Sequence, residues 1–266
     1  MTSGVPASLA FNEIAAKYDS VFSDSVIGRT QREAVWEAID RIFLPGQSIL
    51  EINCGTGVDA VHLAHRGVRV HACDASPAMI DVARARVREC RVDVSLEMRG
   101  IEQLSSLSGQ YDGLFSNFGG LNCVHDLNRL ICDLERRIRV GGNVVLCYMG
   151  PFCAWETAWY LLHGEPGKAV RRWKRHDVPA RVGNSATFLI DYPSVRDLKF
   201  ALAPEFRLRE WKAVGAFVPP SYMESFAAAH PLAMKLAARL DRRLAWTPVL
   251  RAVGDHVLLR FKRIAA

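Results

Sequence analysis

The chain of 266 residues contains no Cys-x-x-Cys pair, although it carries seven cysteines, at 54, 73, 90, 123, 132, 147 and 153. Their odd number and their scatter through apolar stretches argue against a disulfide framework and point to a reducing, cytoplasmic setting. There is no uninterrupted apolar span of membrane-helix length. The N-terminal residues also lack a basic stretch leading into a long apolar run, so no membrane partner and no leader are expected. No internal repeat is visible. No histidines, cysteines and acids stand at metal-ligand spacing and no compact nucleophilic triad can be read, so no metal is expected.

With 50% hydrophobic residues the chain can bury a large core without staples, as one elaborated domain or a core with a cap. Lys and Arg number 34 against 28 Asp and Glu, a net charge of +6. Much of the excess falls in Arg171, Arg172, Lys174 and Arg175 and in the C-terminal third. The bland reading is a solvated cap surface, and the sharper one is steering of an anionic substrate or nucleic acid.

The most informative stretch is Ser48 to Asp74. Ile49 to Ile52 form an apolar run that stops at small residues, as a parallel strand does when it feeds a tight crossover turn. Gly55 and Gly57 allow backbone angles closed to side chains and let a ligand approach the main chain. A helix through His65 follows, so its N-terminal amides face that ligand, with Thr56 in the turn. Asp74, seventeen residues beyond Gly57, ends the next strand where an acid can accept hydrogen bonds from both ribose hydroxyls. Gly55 to Ala60 also match the loose dinucleotide fingerprint, whose helix terminus takes a pyrophosphate. Glu51 argues against phosphate and for a cationic amino acid group.

Glu51-Ile52-Asn53-Cys54-Gly55-Thr56-Gly57 resembles the first motif of the class I S-adenosylmethionine-dependent methyltransferases, and Asp74 resembles their ribose-binding acid. Together with Asp112 to Leu121 and Gly141-Gly142, the resemblance covers about residues 10 to 150 and is weak on substrate. It implies an α/β fold: a seven-stranded, mostly parallel Rossmann-like sheet with helices on both faces and a helical cap insertion. It also implies S-adenosylmethionine as cofactor, S-adenosylhomocysteine as product, and a cofactor shell including Glu51, Asn53 and Ala75.

Residues 1 to 8 read as a disordered tail, and Phe11 to Phe22 as a short helix or a helix with a turn. This segment resembles the piece that closes over cofactor in small-molecule methyltransferases, with Tyr18 as a cofactor candidate and Phe22 as a substrate candidate; docking on the core is their structural alternative. Thr30 to Phe43 is an amphipathic helix, ended by Pro45-Gly46. Ser76 suits a helix cap and Pro77 the first position of a helix running to about Glu89. In the resembling family Met79 packs near adenine, and a core role is nearly as good. Val92 to Met98 reads as the third strand. The family's adenine-binding acid falls on Gly100, so adenine is assigned to the Ile101 backbone amide, with Glu102 in second rank.

Asp112 to Ser116 form a fourth strand that runs into Asn117-Phe118-Gly119-Gly120-Leu121-Asn122, at the sheet edge where open α/β folds bind ligands. Asn117 and Phe118 are cofactor-side candidates and Asn122 a substrate candidate, with backbone capping as the alternative for the asparagines. His125 is a candidate base, since an imidazole can remove a proton from a phenol or similar nucleophile, with capping or solvating the following helix as its alternative. Gly141-Gly142 precede a fifth strand, and Tyr148 near its end is a candidate for orienting substrate. Cys153 to His163 reads as an aromatic-rich cap helix, so Trp155, Glu156 and Trp159 are substrate-pocket candidates. Tyr222 and Met223 join them from a later insertion.

The expected organisation is residues 1–150 as the lid helix and main cofactor-binding part of the core, 151–192 as cap, and 193–266 completing the sheet. A second helical insertion falls at about 216–250, Trp246 to Val253 reads as helical, and the last strand is His256 to Phe261. The favoured activity is O-methylation of a small hydrophobic or aromatic metabolite by a monomer or homodimer, with N-methylation close behind because a neutral amine needs no strong base. S- or C-methylation, a nicotinamide oxidoreductase and a non-catalytic cofactor-binding partner protein stay open. A nucleic-acid acceptor is less favoured, since the chain has no Asn-Pro-Pro-Tyr or Asp-Pro-Pro-Tyr loop.

Overall fold

The computed structural model describes residues 4–264. The chain begins with α1 (Ala7–Tyr18), a π-helical turn (Asp19–Ser23) and α2 (Val26–Ile42), then alternates β1 (Ser48–Ile52), α3 (Val58–His65), β2 (Arg69–Asp74), α4 (Pro77–Cys90) and β3 (Val94–Met98). Next come β4 (Tyr111–Ser116), α5 (Leu127–Arg137), β5 (Ile138–Tyr148), α6 (Ala154–Leu162), α7 (Pro166–Ala169) and the short strands β6 (Val178–Ala180) and β7 (Phe188–Ile190). The chain closes with α8 (Val195–Ala201), β8 (Phe206–Val214), α9 (Glu224–Ala229), α10 (Pro231–Leu244) and β9 (His256–Arg263).

Seven strands form one sheet in the order β3-β2-β1-β4-β5-β9-β8. All neighbours are parallel except β9, which is antiparallel to both β5 and β8. Strand period two sorts the core onto the two faces. Leu50, Ile52, Leu114, Val144, Leu146 and Tyr148 pack toward α5 and α8, while Ile49, Phe115, Val145 and Cys147 pack toward α2, α3 and α4. Local chemistry fixes the helix starts. Ser25 Oγ accepts from Gly28 N at 2.9 Å to cap α2, and Ser76 Oγ accepts from Met79 N at 3.1 Å to cap α4, with Pro77 in its first turn.

Three expectations need correction. Of the segment read as a tail, Met1–Ser3 lie outside the described residues, but Val5 N donates to Thr187 O at 3.0 Å and helix α1 already begins at Ala7. Trp246 to Val253 contain only a single 3₁₀ turn, Leu250–Ala252, because Pro248 interrupts the stretch. The basic run is only in part a solvated surface: Lys174 is exposed, but Arg172 is buried, and Arg171 and Arg172 both reach Glu156. Hairpin β6–β7 is a separate two-stranded sheet, and Phe188 meets Phe11 of α1 at a ring separation of 5.7 Å.

Candidate active site

The strand order reverses between β1 and β4, and the crevice beyond their C-terminal ends is the natural ligand position of such a sheet. Three residues of the turn after β1 take left-handed backbone angles: Asn53 (φ 56°), Gly55 (φ 54°) and Gly57 (φ 75°). Asparagine tolerates that region better than other side-chain-bearing residues. The two glycines serve different ends. A Cβ on Gly55 would meet nothing within 4 Å, so the main chain there is open to a ligand, whereas one on Gly57 would stand 3.0 Å from Ala83 Cβ, so that glycine lets α3 approach α4. Gly120 is constrained by Asn53, whose Cβ would be only 2.4 Å from an added methyl group.

A cavity of about 330 Å³ lies over this turn. Asn53, Cys54, Gly55, Thr56, Val58 and Asp59 form its floor, and Asp74, Ala75, Met79, Ile101 and Glu102 one end. Asn117, Phe118, Gly120 and Cys123 form the opposite wall, together with Arg32 from α2. Pro6, Ala7, Ser8, Phe11 and Tyr18 cover it. The cover is pinned at both ends. Asn12 Oδ1 accepts from Ser76 Oγ at 2.6 Å and Ala78 N at 3.2 Å. Asp19 accepts from Thr56 Oγ1 at 2.7 Å and pairs with Arg86, which donates through Nε to Thr56 O at 2.9 Å.

Charge is concentrated beside Asn53. Arg32 Nη1 is 2.5 Å from Asp59 Oδ2, and Asp59 also accepts from Trp36 Nε1 at 2.7 Å and Asn117 Nδ2 at 2.9 Å. The Arg32 guanidinium lies 4.9 Å from the Phe118 ring centre, and its Nε has no hydrogen-bond partner. Glu51, on the same sheet face, is buried with Oε2 unpaired; burial pushes its carboxyl well above the usual range, with Asp59 adding and Arg32 opposing. Asp74 takes 2.8 Å hydrogen bonds from Gly55 N and Ser76 N, one on each oxygen. Burial raises its carboxyl despite these bonds, and each oxygen retains acceptor capacity. Burial pushes the Tyr18 hydroxyl up to about 12.

These features fit an S-adenosyl nucleoside. An unpaired buried carboxylate oxygen, an unpaired Arg32 Nε, the unpaired Asn53 Oδ1 and the open space above Gly55 together form a polar cradle with unmet hydrogen-bonding capacity.

Tyr18, Asn53, Gly55, Thr56, Asp74, Ala75, Met79, Ile101, Asn117 and Phe118 are brought together on the cavity wall. Glu51 lies beneath it, and Gly57 and Gly100 do not line it. At Gly100 an added Cβ would be 2.7 Å from Glu102 Oε2, so the Glu102 carboxylate occupies the space of the missing side chain.

The candidates for chemistry and substrate lie elsewhere. Tyr148 points into the core on the α5 side, fully buried, with its hydroxyl unpaired and pushed upward by burial, and it does not line the cavity. His125 is exposed, with Nδ1 3.5 Å from Asp191 Oδ2, and is not a lining residue. Phe22 sits behind the wall, 5.2 Å from Phe118. Asn122 braces the backbone: it donates to Met149 O at 2.8 Å and Asp191 O at 2.6 Å and accepts from Met149 N at 2.9 Å. Trp155, Trp159 and Met223 pack in a separate cluster with Ile27, Tyr222 lies 6.0 Å from Trp159, and Glu156 is neutralised by Arg171 and Arg172. None of these five lines the cavity. Arg32 was missed by sequence reasoning, yet its spacing to Val35 and Ile39 sets a charge on the apolar stripe of α2.

The sheet order, the turn after β1 and the acid ending β2 define a class I S-adenosylmethionine-dependent methyltransferase architecture. The chain matches, over residues 49–142, the family model described as a methyltransferase domain. It is 33% identical over 140 residues to a demethylmenaquinone methyltransferase from Thermobifida fusca (strain YX), covering 52% of this chain and 58% of the relative. It is 29% identical to a ubiquinone biosynthesis O-methyltransferase from Xanthomonas oryzae, over 40% of this chain and 44% of the relative. These matches span only about half the length of either relative. In fold it is similar to a putative S-adenosylmethionine-dependent methyltransferase from Listeria monocytogenes, with a TM-score of 0.61, 13% identity and coverage of 86% of this chain and 96% of that one.

Proposed function

We propose that the protein transfers a methyl group from S-adenosylmethionine to a small, apolar, hydroxylated aromatic acceptor, with oxygen as the favoured receiving atom. The observation that carries the reading is the single cavity holding Arg32 and Asp59 at one end and Asp74 with Glu102 at the other, beside Phe11, Tyr18 and Phe118. Arg32 is suited to the cofactor's carboxylate, Asp59 and the underlying Glu51 to its ammonium, Asp74 to the ribose, and Ile101 with Glu102 to adenine. The cofactor's sulfonium supplies an activated methyl group. The chain then has to hold the acceptor in line and exclude water, a task suited to the pinned α1 cover and aromatic wall. The names of the demethylmenaquinone and ubiquinone-pathway relatives support a quinol-like acceptor.

A nitrogen acceptor is the second reading, because no histidine is among the lining residues and Asp59 is already engaged by Arg32, Trp36 and Asn117. Both are tested by incubating the protein with methyl-deuterated S-adenosylmethionine and a panel of quinols, phenols and aryl amines, with products located by mass spectrometry. Labelled aryl ethers support the first reading and labelled amines the second. Failure of the folded protein to bind S-adenosylhomocysteine sinks both.

Glu102→Ala is expected to weaken S-adenosylhomocysteine binding roughly 3- to 10-fold, the scale of one exposed hydrogen bond. Adding Gly100→Asp to that variant should recover affinity, because shortening Glu102 frees the space beside Gly100. Calorimetric titration of the three proteins checks it; equal affinities would remove Glu102 from the adenine subsite.

A further inference from the structure

Outside the cavity, three side chains of the kind that bind transition metals meet where the turn after Cys123 abuts hairpin β6–β7, with a fourth beside one of them. His125, Asp177 and Asp191 present donor atoms all within 4.8 Å of one another, and His176 adds a second imidazole beside Asp191. Asp191 Oδ2 is 3.5 Å from His125 Nδ1 and 3.4 Å from His176 Nδ1. Those separations exceed an ordinary hydrogen bond of about 2.7–3.2 Å. They match the spacing of about 3.3–3.6 Å between two donors that share one ion at metal–ligand distances of about 2.0–2.2 Å and a near-tetrahedral angle.

The central carboxylate is held in place for such a role. Asp191 N donates to Asn122 O at 2.8 Å, its carbonyl accepts from Asn122 Nδ2 at 2.6 Å, and its Oδ1 accepts from Asp177 N at 2.9 Å. Oδ2 is thereby left facing the two imidazoles. The other histidine-containing trio, His71, Cys73 and Glu97, differs: His71 is already bonded to Tyr111 at 2.7 Å and Glu97 at 3.2 Å, and burial pushes the Cys73 thiol up to about 12.

We propose that His125, His176 and Asp191, with Asp177, form a binding site for a divalent transition ion, zinc being the best match to mixed imidazole and carboxylate donors. Magnesium and calcium favour all-oxygen shells. The ion ties the turn that carries the cavity-lining Cys123 to the hairpin that backs α1, so its role is to brace the wall and cover. The methyl-transfer chemistry needs no part of it.

The test titrates metal-stripped protein with Co²⁺, followed by visible absorption, and with Zn²⁺ by calorimetry. One saturable ion per chain is expected, with a ligand-field spectrum of low coordination number. His125→Ala and His176→Ala, both changes of exposed side chains, should each weaken binding by more than about 10-fold. Affinity for S-adenosylhomocysteine in metal-free His125→Ala should match metal-free wild type. The proposal is overturned if no saturable binding occurs, if both variants bind as wild type does, or if Mg²⁺ binds in preference to Co²⁺ and Zn²⁺.

Discussion

Replacing Arg172 by methionine is expected to destabilise the protein by about 3–5 kcal/mol, the scale for removing one partner from a buried ion pair. In a chain of this size that lowers Tm by roughly 6–20 °C. Arg172 is 3% exposed and lies between Glu156 at 1% and Asp255 at 6%. Its Nη2 is 2.9 Å from Glu156 Oε2 and 2.9 Å from Asp255 Oδ1, and its Nη1 donates to Asp255 O at 2.9 Å. Methionine fills much of the volume but leaves Asp255 with only His256, at 3.4 Å, and a long contact to Gln31 at 3.5 Å. The cost comes from the stranded Asp255 rather than from a cavity, since Glu156 keeps Arg171 at 2.8 and 3.0 Å on its two oxygens.

The sign with pH follows from the wild-type carboxyls. Burial raises both, but Arg171 and Arg172 more than offset this at Glu156, and His256 with Arg172 does so at Asp255, so both sit below the usual range. Their contribution is present above the ordinary carboxylate range and is lost as pH falls through the depressed values. The Tm gap between wild type and Arg172→Met should therefore be widest near neutrality and narrow in acid. A gap of less than about 2 °C at pH 7 in scanning calorimetry, under 1 kcal/mol by the same conversion, would show the cluster to be dispensable.

The frame was legible where the chain signals locally. Gly55 with Gly57, Ser76-Pro77 and the apolar runs of β1, β4, β5 and β9 place the turn, the second crossover and the sheet, because those signals act over a few residues. Tyr148 shows the limit. A strand buried on both faces carries no polar alternation to tell which face meets the ligand, and Tyr148 shares the face of Val144 and Leu146. The basic run misled for a related reason: a cluster of arginines looks alike in sequence whether solvated or paired, and the partners Glu156 and Asp255 stand 15 and 83 residues away from Arg171 and Arg172 respectively. The α6 aromatics read as substrate contacts because their segment follows β5, yet Trp155 and Trp159 pack against α2 and the turn before α9. Arg32 was readable in principle, as the one charge on a stripe of apolar positions.

Glu51→Gln is expected to move stability and cofactor affinity in opposite directions. Glu51 is 1% exposed with one carboxylate oxygen unpaired, and burial raises its carboxyl well above the ordinary value, with Asp59 adding and Arg32 opposing. A carboxyl with a raised folded value stabilises fully below its unfolded value, and that stability is lost as pH rises toward the folded value. A glutamine carries no such loss. The ligand-free variant should thus melt above wild type, by a margin that opens above the ordinary carboxylate range and grows with pH until the folded carboxyl is ionised. Binding runs the other way, since the cofactor's ammonium favours ionised Glu51 and glutamine offers no charge. Loss of one charge-assisted interaction corresponds to roughly 10- to 100-fold weaker S-adenosylmethionine binding. Over the same pH interval wild-type affinity should rise as Glu51 ionises, while that of the variant stays flatter. Melting curves of the ligand-free proteins and calorimetric titrations at matched pH separate the effects. If the variant is less stable and binds as tightly as wild type, Glu51 is a packing residue and the ammonium subsite belongs to Asp59 alone.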